Sequence, residues 1–165
     1  MDFAYNDEQK EIIKVVRDLV EKEIVPYASE MDETGKLHEG LLDKLAAQGL
    51  LGVAIPEEFG GAGLDAITIA AIYEELGKGC AGVATTVAAN ALASYPVIIA
   101  GNDDQKKRYF DIINEDNLAA FALTEPGTGS DAGSVSTRAM KTEDGKGYIL
   151  NGTKCFITNG ALAEV

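Results

Sequence analysis

A change of hydrophobic pattern near residue 118 constrains the fold of this chain more than any other feature of its sequence. Up to that point, apolar residues recur with helical spacing in one segment after another. Beyond it come short apolar or alternating runs separated by turn-forming residues, which is the pattern of strands. The sequence therefore predicts an α+β protein, with an all-α helical domain over residues 1–117 and the first part of a β-sheet or β-barrel-like domain over residues 118–165.

Capping residues locate the predicted helices of the first domain. Asn6 and Asn102 are each followed three residues later by a glutamine, which is the capping-box pattern, and Asp65 can cap a further helix. The first helix either ends near Pro26 or continues beyond it with a kink. The other helices are predicted at Glu39–Gln48, Ala66–Leu76, Ala81–Ala100 and from Asn102 onward, the last with Tyr109, Phe110, Ile112 and Ile113 buried.

The segment Ala81–Ala100 contains no charged side chain and is rich in alanine. Pro96 should bend or break this helix, because proline removes a backbone hydrogen bond. Two interpretations are open from the residues themselves. The helix is either a central one buried on most sides, or the wall of a cavity in which small side chains leave room for a ligand.

The second part of the chain begins with Leu118–Leu123, an apolar run without helical spacing that predicts a buried strand. Further strands are predicted at Ser134–Met140, Tyr148–Leu150 and Lys154–Thr158, with a hairpin turn at Asp144-Gly145.

The loop Thr124–Asp131 follows the first of these strands. Gly127 and Gly129 would let its backbone approach a flat or anionic ligand, and the hydroxyls of Thr124, Thr128 and Ser130 could donate or accept. The same residues also suit an ordinary turn after a strand. Neither a P-loop nor the third glycine of a dinucleotide-binding fingerprint is present. The loop is therefore either a cofactor clamp or simply a turn.

Composition limits the class of partner. The chain carries 14 basic and 27 acidic residues, a net charge of -13, which argues against nucleic acid and anionic membranes as partners. Cys80 and Cys155 do not have the spacing of metal ligands, so no metal site is predicted and a reducing compartment, such as a bacterial cytoplasm, is expected. We recognise neither a signal peptide nor a membrane-spanning apolar segment, so membrane insertion is not expected.

Three motifs, in the same order and covering nearly the whole chain, resemble segments of the acyl-CoA dehydrogenase flavoproteins. They are Pro56–Gly63, Ala122–Asp131 (Ala-Leu-Thr-Glu-Pro-Gly-Thr-Gly-Ser-Asp) and Leu150–Gly160 (Leu-Asn-Gly-Thr-Lys-Cys-Phe-Ile-Thr-Asn-Gly). The pattern is most similar to the short-chain, butyryl-CoA-type members. The resemblance implies FAD as cofactor and the oxidation of an acyl-CoA to its 2,3-enoyl form, with electrons passed to electron-transferring flavoprotein.

The resemblance also implies roles for individual residues. Cofactor-binding residues would be Phe121, Ala122, Leu123, Thr124, Gly129, Ser130, Phe156, Ile157 and Thr158. Among them, Thr124 would meet the flavin pyrimidine edge, Gly129 and Ser130 the pyrophosphate, and Thr158 the region of flavin N5. Substrate-binding residues would be Ser130, which would also touch the CoA moiety, and Thr85, Ala88, Ala89 and Tyr95 near the acyl pocket.

The sequence departs from the family pattern in two respects. Phe156 stands where a tryptophan is common, so an aromatic face is kept and an indole N–H is lost. The catalytic glutamate of the family lies in a later helical domain that is absent from these 165 residues, so no catalytic residue is assigned, Glu125 being interpreted as structural. We interpret the chain as a fragment of an enzyme that is a homotetramer when full length, and expect it alone to self-associate, hold little FAD and lack activity.

Other functions remain open from the sequence. The chain could be a non-catalytic helical interaction module with a remnant sheet, a relative that works in the enoyl-CoA-reducing direction, or an acyl-CoA oxidase. Acyl chain length, electron acceptor and physiological direction are not determined by these residues.

Overall fold

The computed structural model describes residues 4–165, so the first three residues of the predicted helical domain lie outside it. Six α-helices and one β-hairpin are present in that range. The helices are α1 (Asp7–Leu19), α2 (Ala28–Thr34), α3 (Leu41–Ala47), α4 (Ala66–Gly79), α5 (Ala81–Ala100) and α6 (Asp103–Asn114), and the strands are β1 (Arg138–Lys141) and β2 (Tyr148–Asn151). The predicted combination of a helical part followed by a small sheet is confirmed.

The helix starts follow the predicted caps. Asn6 and Asn102 each accept a hydrogen bond from the backbone of the glutamine three residues on, and that glutamine bonds back to the asparagine N–H. The Asp65 carboxylate accepts from the N–H groups of Ile67 and Thr68. Helix α4 extends beyond the predicted end at Leu76, because the Gly77–Gly79 segment stays helical until Cys80 turns to an extended conformation.

The first helix continues past Pro26, as in the second of the two predicted alternatives. A wide π-helical turn, Val20–Ile24, and a 3₁₀ turn, Val25–Tyr27, join α1 to α2. Pro26 is tolerated because it lies within the first turn of a new helical segment, where its missing N–H is not needed. Val20 and Ile24 are buried, so the irregular turn packs into the core.

Helices α1, α4 and α5 enclose the main hydrophobic core. Its largest fully buried members are apolar residues from these helices, from the segments between them and from the start of the second part of the chain: Ile24, Leu41, Leu45, Val53, Ile72, Leu76, Val83, Val87 and Leu118. A second cluster around Phe110 and Ile113 packs α6 against the end of α5. Tyr109 and Ile112, which were predicted to be buried, are only partly so.

Helix α5 runs unbroken through Pro96, so of the two predicted outcomes, a bend or a break, the break does not occur. Pro96 has no N–H to donate to the Leu92 carbonyl one turn earlier. Both residues lie on an exposed side of the helix, so water can bond that carbonyl instead. Among residues 4–165, α5 is the helix long and apolar enough to span a membrane on length and composition, with a mean hydropathy of 1.5. The prediction that the chain has no apolar segment of membrane-spanning length is therefore wrong by length and composition. Buried residues of α5, such as Val83 and Val87, nevertheless pack into the main hydrophobic core.

Asn90 joins α5 to the segments on either side of it. This side chain is 1% exposed, and its Nδ2 donates to the carbonyls of Leu51 and Asn117, both at 3.3 Å. Its Oδ1 accepts from the N–H of Ala119 at 2.8 Å. One amide therefore satisfies two buried backbone groups and one partly buried one, and positions the chain where the helical part ends.

The predicted strand Leu118–Leu123 is absent. Only Leu118 and Ala119 are buried, and the segment pairs with residues 164–165 through two backbone hydrogen bonds, which do not form a ladder. The predicted strand Lys154–Thr158 is also wrong, because Phe156 adopts a left-handed conformation with φ of 56° that interrupts an extended chain. Both segments are irregular, but each is held in place by specific hydrogen bonds.

The predicted hairpin is confirmed in a shorter form. Strands β1 and β2 pair antiparallel, with Arg138 opposite Asn151 and Lys141 opposite Tyr148. Gly145 in the turn has φ of 70°, which explains the preference for glycine there. Residues 134–137, predicted as strand, instead form the end of a 3₁₀ turn and an irregular link.

Replacing Asn90 with alanine should lower the free energy of unfolding by about 2–4 kcal/mol, because two carbonyls and one N–H would be left buried without a partner. Urea unfolding followed by circular dichroism measures this. Asn151→Ala, an exposed asparagine in β2, is the control and should change stability by less than about 0.5 kcal/mol. Equal effects of the two substitutions would contradict the role assigned to Asn90.

A second prediction concerns Glu75, whose carboxylate accepts two hydrogen bonds from the Arg17 guanidinium at 2.8 and 3.0 Å. Hydrogen bonding to Arg17, and then to Lys78, lowers the pKa of Glu75 to about 2 from an ordinary 4.5. Since the folded-state pKa is depressed, the stabilisation is present above pH 4.5 and is lost as the pH falls towards 2.

Glu75→Gln should therefore lower the free energy of unfolding at neutral pH by about 1–2 kcal/mol. The effect is no larger because Arg17 is half exposed and solvent screens the ion pair. The variant should also show a weaker dependence of the free energy of unfolding on pH in the acid range. Unfolding measured in urea across that pH window tests this. Glu74→Gln, which changes an exposed neighbour on the same helix, should leave the dependence intact.

Candidate functional site

A cavity of about 580 Å³ lies where α5 meets the two irregular segments of the second part of the chain. Helix α5 forms one wall, and residues 121–124 and 156–158 form another. Its lining is uncharged and mainly apolar, and comprises Tyr73, Thr85, Ala88, Ala89, Ala91, Leu92, Tyr95, Phe121, Leu123, Thr124, Phe156, Ile157 and Thr158. The volume is within the range of small-molecule sites.

Most residues that the sequence assigned to a site meet in this cavity. The predicted cofactor-binding residues among them are Phe121, Leu123, Thr124, Phe156, Ile157 and Thr158, and the predicted substrate-binding residues are Thr85, Ala88, Ala89 and Tyr95. Ala122, Gly129 and Ser130 are exposed and do not line it. The small residues of α5 thus border an open space, as the cavity-wall interpretation of Ala81–Ala100 requires.

Two hydrogen-bonded links hold the Leu150–Gly160 motif against the segment that leads into and includes the Ala122–Asp131 motif, and against α5. The Cys155 N–H donates to the Thr124 carbonyl at 3.0 Å. The Asn159 side chain donates to the carbonyls of Thr86 in α5 and of Ala119, at 3.0 and 3.1 Å. These contacts bring Phe156–Thr158 alongside Leu123 and Thr124, although the two motifs are about thirty residues apart in sequence.

Glu125 provides the strongest link between the two motifs. Its carboxylate, 5% exposed, accepts from the N–H and hydroxyl of Ser136 at 2.7 and 2.6 Å and from the N–H of Thr137 at 2.9 Å. Lys154 donates to the same carboxylate at 2.9 Å and to the Leu123 carbonyl at 2.8 Å.

These donors hold the pKa of Glu125 well below its usual range, with the Ser136 hydrogen bond the largest contribution. A carboxylate so fully bonded is a weak proton acceptor. Glu125 therefore positions the loop, in agreement with its interpretation as structural.

Phe156 stands out at the mouth of the cavity. Its φ of 56° is unusual for a bulky residue, and its side chain is 93% exposed within residues 4–165. Nothing in the packing of the described chain accounts for an aromatic ring held in this strained and open position. The ring offers a flat apolar face beside the lining residues Ile157 and Thr158.

The hydroxyls near the site fall into two groups. Those of Thr124 and Thr158 have no hydrogen-bond partner within residues 4–165 and remain available to a ligand. Thr85 donates to the Ala81 carbonyl at 2.7 Å, and Thr128 donates to the Ser134 carbonyl at 3.0 Å. Of the loop hydroxyls that could donate or accept, the Thr128 hydroxyl is therefore used inside the loop itself.

The loop itself is a tight turn. Glu125 and Thr128 exchange two backbone hydrogen bonds of 3.0 Å across Pro126 and Gly127. A β-carbon on Gly127 or Gly129 would meet no atom within 4 Å, and neither residue has positive φ. The described fold does not itself require glycine at these two positions, which leaves close approach of a ligand as a reason for them.

Three further residues line the cavity that neither the sequence pattern nor the family resemblance indicated: Tyr73, Ala91 and Leu92. Tyr73 comes from α4, and its place in the cavity depends on how α4 packs against α5, which helical spacing alone does not reveal. Burial raises the pKa of Tyr73 to about 12, with a smaller contribution from Tyr95. Across residues 4–165, no group of three or more metal-binding side chains lies close enough to hold an ion.

Two named relatives show the range of proteins that the chain resembles. An acyl-CoA dehydrogenase of Bacillus subtilis is 41% identical over 160 residues, which cover 96% of this chain and 42% of that protein. A 3-(aryl)acrylate reductase of Clostridium sporogenes is 42% identical over 161 residues, which cover 95% of this chain and 42% of that protein. The chain thus spans less than half the length of both relatives.

Three solved structures share the fold. Butyryl-CoA dehydrogenase of Megasphaera elsdenii has a TM-score of 0.88 and 38% identity, over 99% of this chain and 44% of that one. A chain in the structure of the electron-transferring flavoprotein of Acidaminococcus fermentans has a TM-score of 0.90 and 37% identity, over 99% and 43%. An acyl-CoA dehydrogenase of Bacillus anthracis complexed with FAD has a TM-score of 0.87 and 39% identity, over 98% and 28%.

Family models agree with these likenesses. Residues 6–115 match the N-terminal domain of acyl-CoA dehydrogenases, and residues 120–165 match their middle domain. The division that we predicted between residues 117 and 118 stays a prediction. The resemblance seen in the three motifs is confirmed, and the chain belongs to the acyl-CoA dehydrogenase family.

Proposed function

We propose that this chain is part of an FAD-dependent acyl-CoA dehydrogenase that oxidises a short-chain acyl-CoA to the 2,3-enoyl-CoA. The observation that carries the proposal is the meeting of both loop motifs and the alanine-rich helix α5 at one uncharged cavity. When bound, FAD supplies the acceptor for the β-hydrogen of the substrate as hydride. The chain's own residues bind and orient the two ligands and exclude water from the space between them.

The residues at the cavity fit a flavin ring. The free hydroxyls of Thr124 and Thr158 can donate to polar ring atoms, and donors at the pyrimidine edge favour the negative charge of a reduced flavin. Phe156, held open at the mouth, can cover a ring face. Leu123 and Ile157 add apolar contacts, and Phe121, between the cavity and the second core cluster, supports this wall. Ala122 would contribute through its exposed backbone.

Gly129 and Ser130 lie on the turn beside the cavity. Their N–H groups have no hydrogen-bond partner within residues 4–165, and open space surrounds Gly129. These features suit the FAD pyrophosphate, with Ser130 also near the CoA moiety. The negative net charge of the chain makes backbone N–H groups a suitable means of binding an anion here.

Thr85, Ala88, Ala89 and Tyr95 border the space available for the acyl group. Because Thr85 donates its hydroxyl hydrogen to its own helix, this side of the cavity presents mainly apolar surface. None of the lining residues is charged, so a substrate carrying a second carboxylate would be left without a partner.

No catalytic residue is assigned within the described chain. The cavity lining contains no carboxylate. The hydrogen-bond donors around Glu125 lower its pKa, which makes this carboxylate too weak a base to accept the α-proton. The acceptor for the α-proton would therefore come from outside residues 4–165. We still predict that residues 1–165 alone lack activity, hold little FAD and self-associate.

Electron-transferring flavoprotein as redox partner, a homotetramer and a cytoplasmic location are parts of the same proposal. A second candidate function is the reduction of an enoyl or arylacrylyl substrate, which the identity to the arylacrylate reductase favours. Assaying the full-length enzyme of which this chain is part in both directions, with an artificial acceptor and butyryl-CoA or with reduced dye and crotonyl-CoA or cinnamate, distinguishes the two.

Removal of the free hydroxyls tests the flavin contacts. Thr124→Val and Thr158→Val nearly preserve shape and should each cost on the order of 1–3 kcal/mol in cofactor binding or transition-state stabilisation. Flavin affinity, reduction potential and the rate of flavin reduction are the readouts. Thr153→Val, at an exposed threonine outside the cavity, is the matched control. Unchanged values in both site variants would refute the assigned contacts.

The uncharged cavity predicts a monocarboxylic substrate. Butyryl-CoA should have a higher kcat/KM than glutaryl-CoA, because burying the second carboxylate without a cation would weaken binding by roughly 2 kcal/mol or more. Steady-state assays with the two thioesters decide this. A preference of the full-length enzyme for glutaryl-CoA would overturn the proposal.

A further inference from the structure

Helix α4 contributes one residue, Tyr73, to the lining of the cavity within the described chain. All other lining residues come from α5 or from the two irregular segments. Tyr73 is also in contact with the main hydrophobic core, so its ring lies between that core and the open space. A large aromatic side chain in this place ends the cavity on the α4 side.

The register of α4 against α5 places Tyr73 opposite the smallest part of the wall. A β-carbon built on Gly77 would lie 3.9 Å from that of Ala84, so these two residues are neighbours near the corner between the helices. About one turn further along each helix are Tyr73 and Ala88. Both line the cavity, together with the adjacent Ala89. The large Tyr73 on α4 therefore faces the small Ala88 and Ala89 on α5. The combined size of these side chains determines the width of the cavity between the two helices.

The Tyr73 hydroxyl does not form a hydrogen bond in this arrangement. It is buried and has no partner within residues 4–165. Desolvation raises its pKa, so the group stays neutral and is unsuited to proton transfer at neutral pH. What the side chain contributes to the cavity is therefore the volume and apolar surface of its ring.

We infer that Tyr73 is a specificity-determining residue whose ring closes the acyl cavity at α4 and limits the length of the acyl group. This inference rests on the proposed function, since it names what sets the substrate class of the same site. A chain that fits between the loop segments and Tyr73 is bound fully, whereas a longer one meets the ring.

The experiment compares kcat/KM for butyryl-CoA, hexanoyl-CoA and octanoyl-CoA in the flavin-loaded, full-length enzyme of which this chain is part and in its Tyr73→Ala variant. The ratio of octanoyl-CoA to butyryl-CoA should rise about tenfold or more in the variant, because space is opened for additional methylenes. Tyr73→Phe keeps the ring and should retain the short-chain preference. If it behaves like the alanine variant, the hydroxyl and not the ring sets specificity, and the inference is wrong.

Tyr109→Ala is the matched control. Tyr109 is a partly buried tyrosine whose hydroxyl is also without a partner, but it lies outside this cavity. Its loss should lower the melting temperature without changing the chain-length ratio. If Tyr73→Ala fails to fold, Tyr73→Leu opens less space and should shift the ratio in the same direction.

An unchanged ratio in a folded, flavin-loaded Tyr73→Ala or Tyr73→Leu would overturn the inference. Failure of the proposed function would look different, because the wild-type full-length enzyme would then oxidise none of the three thioesters. In that case calorimetric titration of the same thioesters still decides the question. Binding that strengthens with acyl length only after Tyr73 is truncated supports the role of the ring, and parallel changes at all lengths refute it.

Discussion

The amide of Asn90 is the interaction on which the arrangement of the site most depends. It lies in the middle of α5 and bonds Leu51 on one side and the backbone of residues 117–119 on the other. Because α5 carries the small residues of the cavity wall, the same amide fixes that wall relative to the start of the first loop motif. A shift of this helix would displace both walls of the cavity together.

The second motif reaches the site by a different principle. After Asn151, where β2 ends, the Leu150–Gly160 motif is not part of a sheet. Its position comes from individual hydrogen bonds of Lys154, Cys155 and Asn159 to the Ala122–Asp131 motif, to Ala119 and to α5. Irregular backbone of this kind can present both a free hydroxyl and a strained aromatic residue to the same space. A regular strand would point successive side chains to opposite faces and could not place Phe156, Ile157 and Thr158 on one cavity.

The helices could be predicted from sequence because their signals are local: capping residues such as Asn6, Asp65 and Asn102 bond within one turn. The strands were less predictable, since Leu118–Leu123 has the composition of a strand but bonds residues 164–165 without a regular ladder. Family resemblance identified most lining residues of the cavity. Tyr73 was missed, because its role depends on the packing of α4 on α5, and so was the use of the Thr128 hydroxyl inside its own loop.

The wide turn at Val20–Ile24 has a consequence for how this family can tolerate changes of chain length. A π-helical turn holds one more residue than an α-helical turn, so it absorbs a single-residue insertion without breaking the helix. Deleting one residue here would convert the wide turn into a regular α-helical turn. The turn is also pressed against α4, where a β-carbon on Gly79 would come within 2.6 Å of Val20. A side chain at position 79 would therefore require Val20 and Ile24 to move, so the wide turn can pack this closely on α4 only because α4 carries a glycine there.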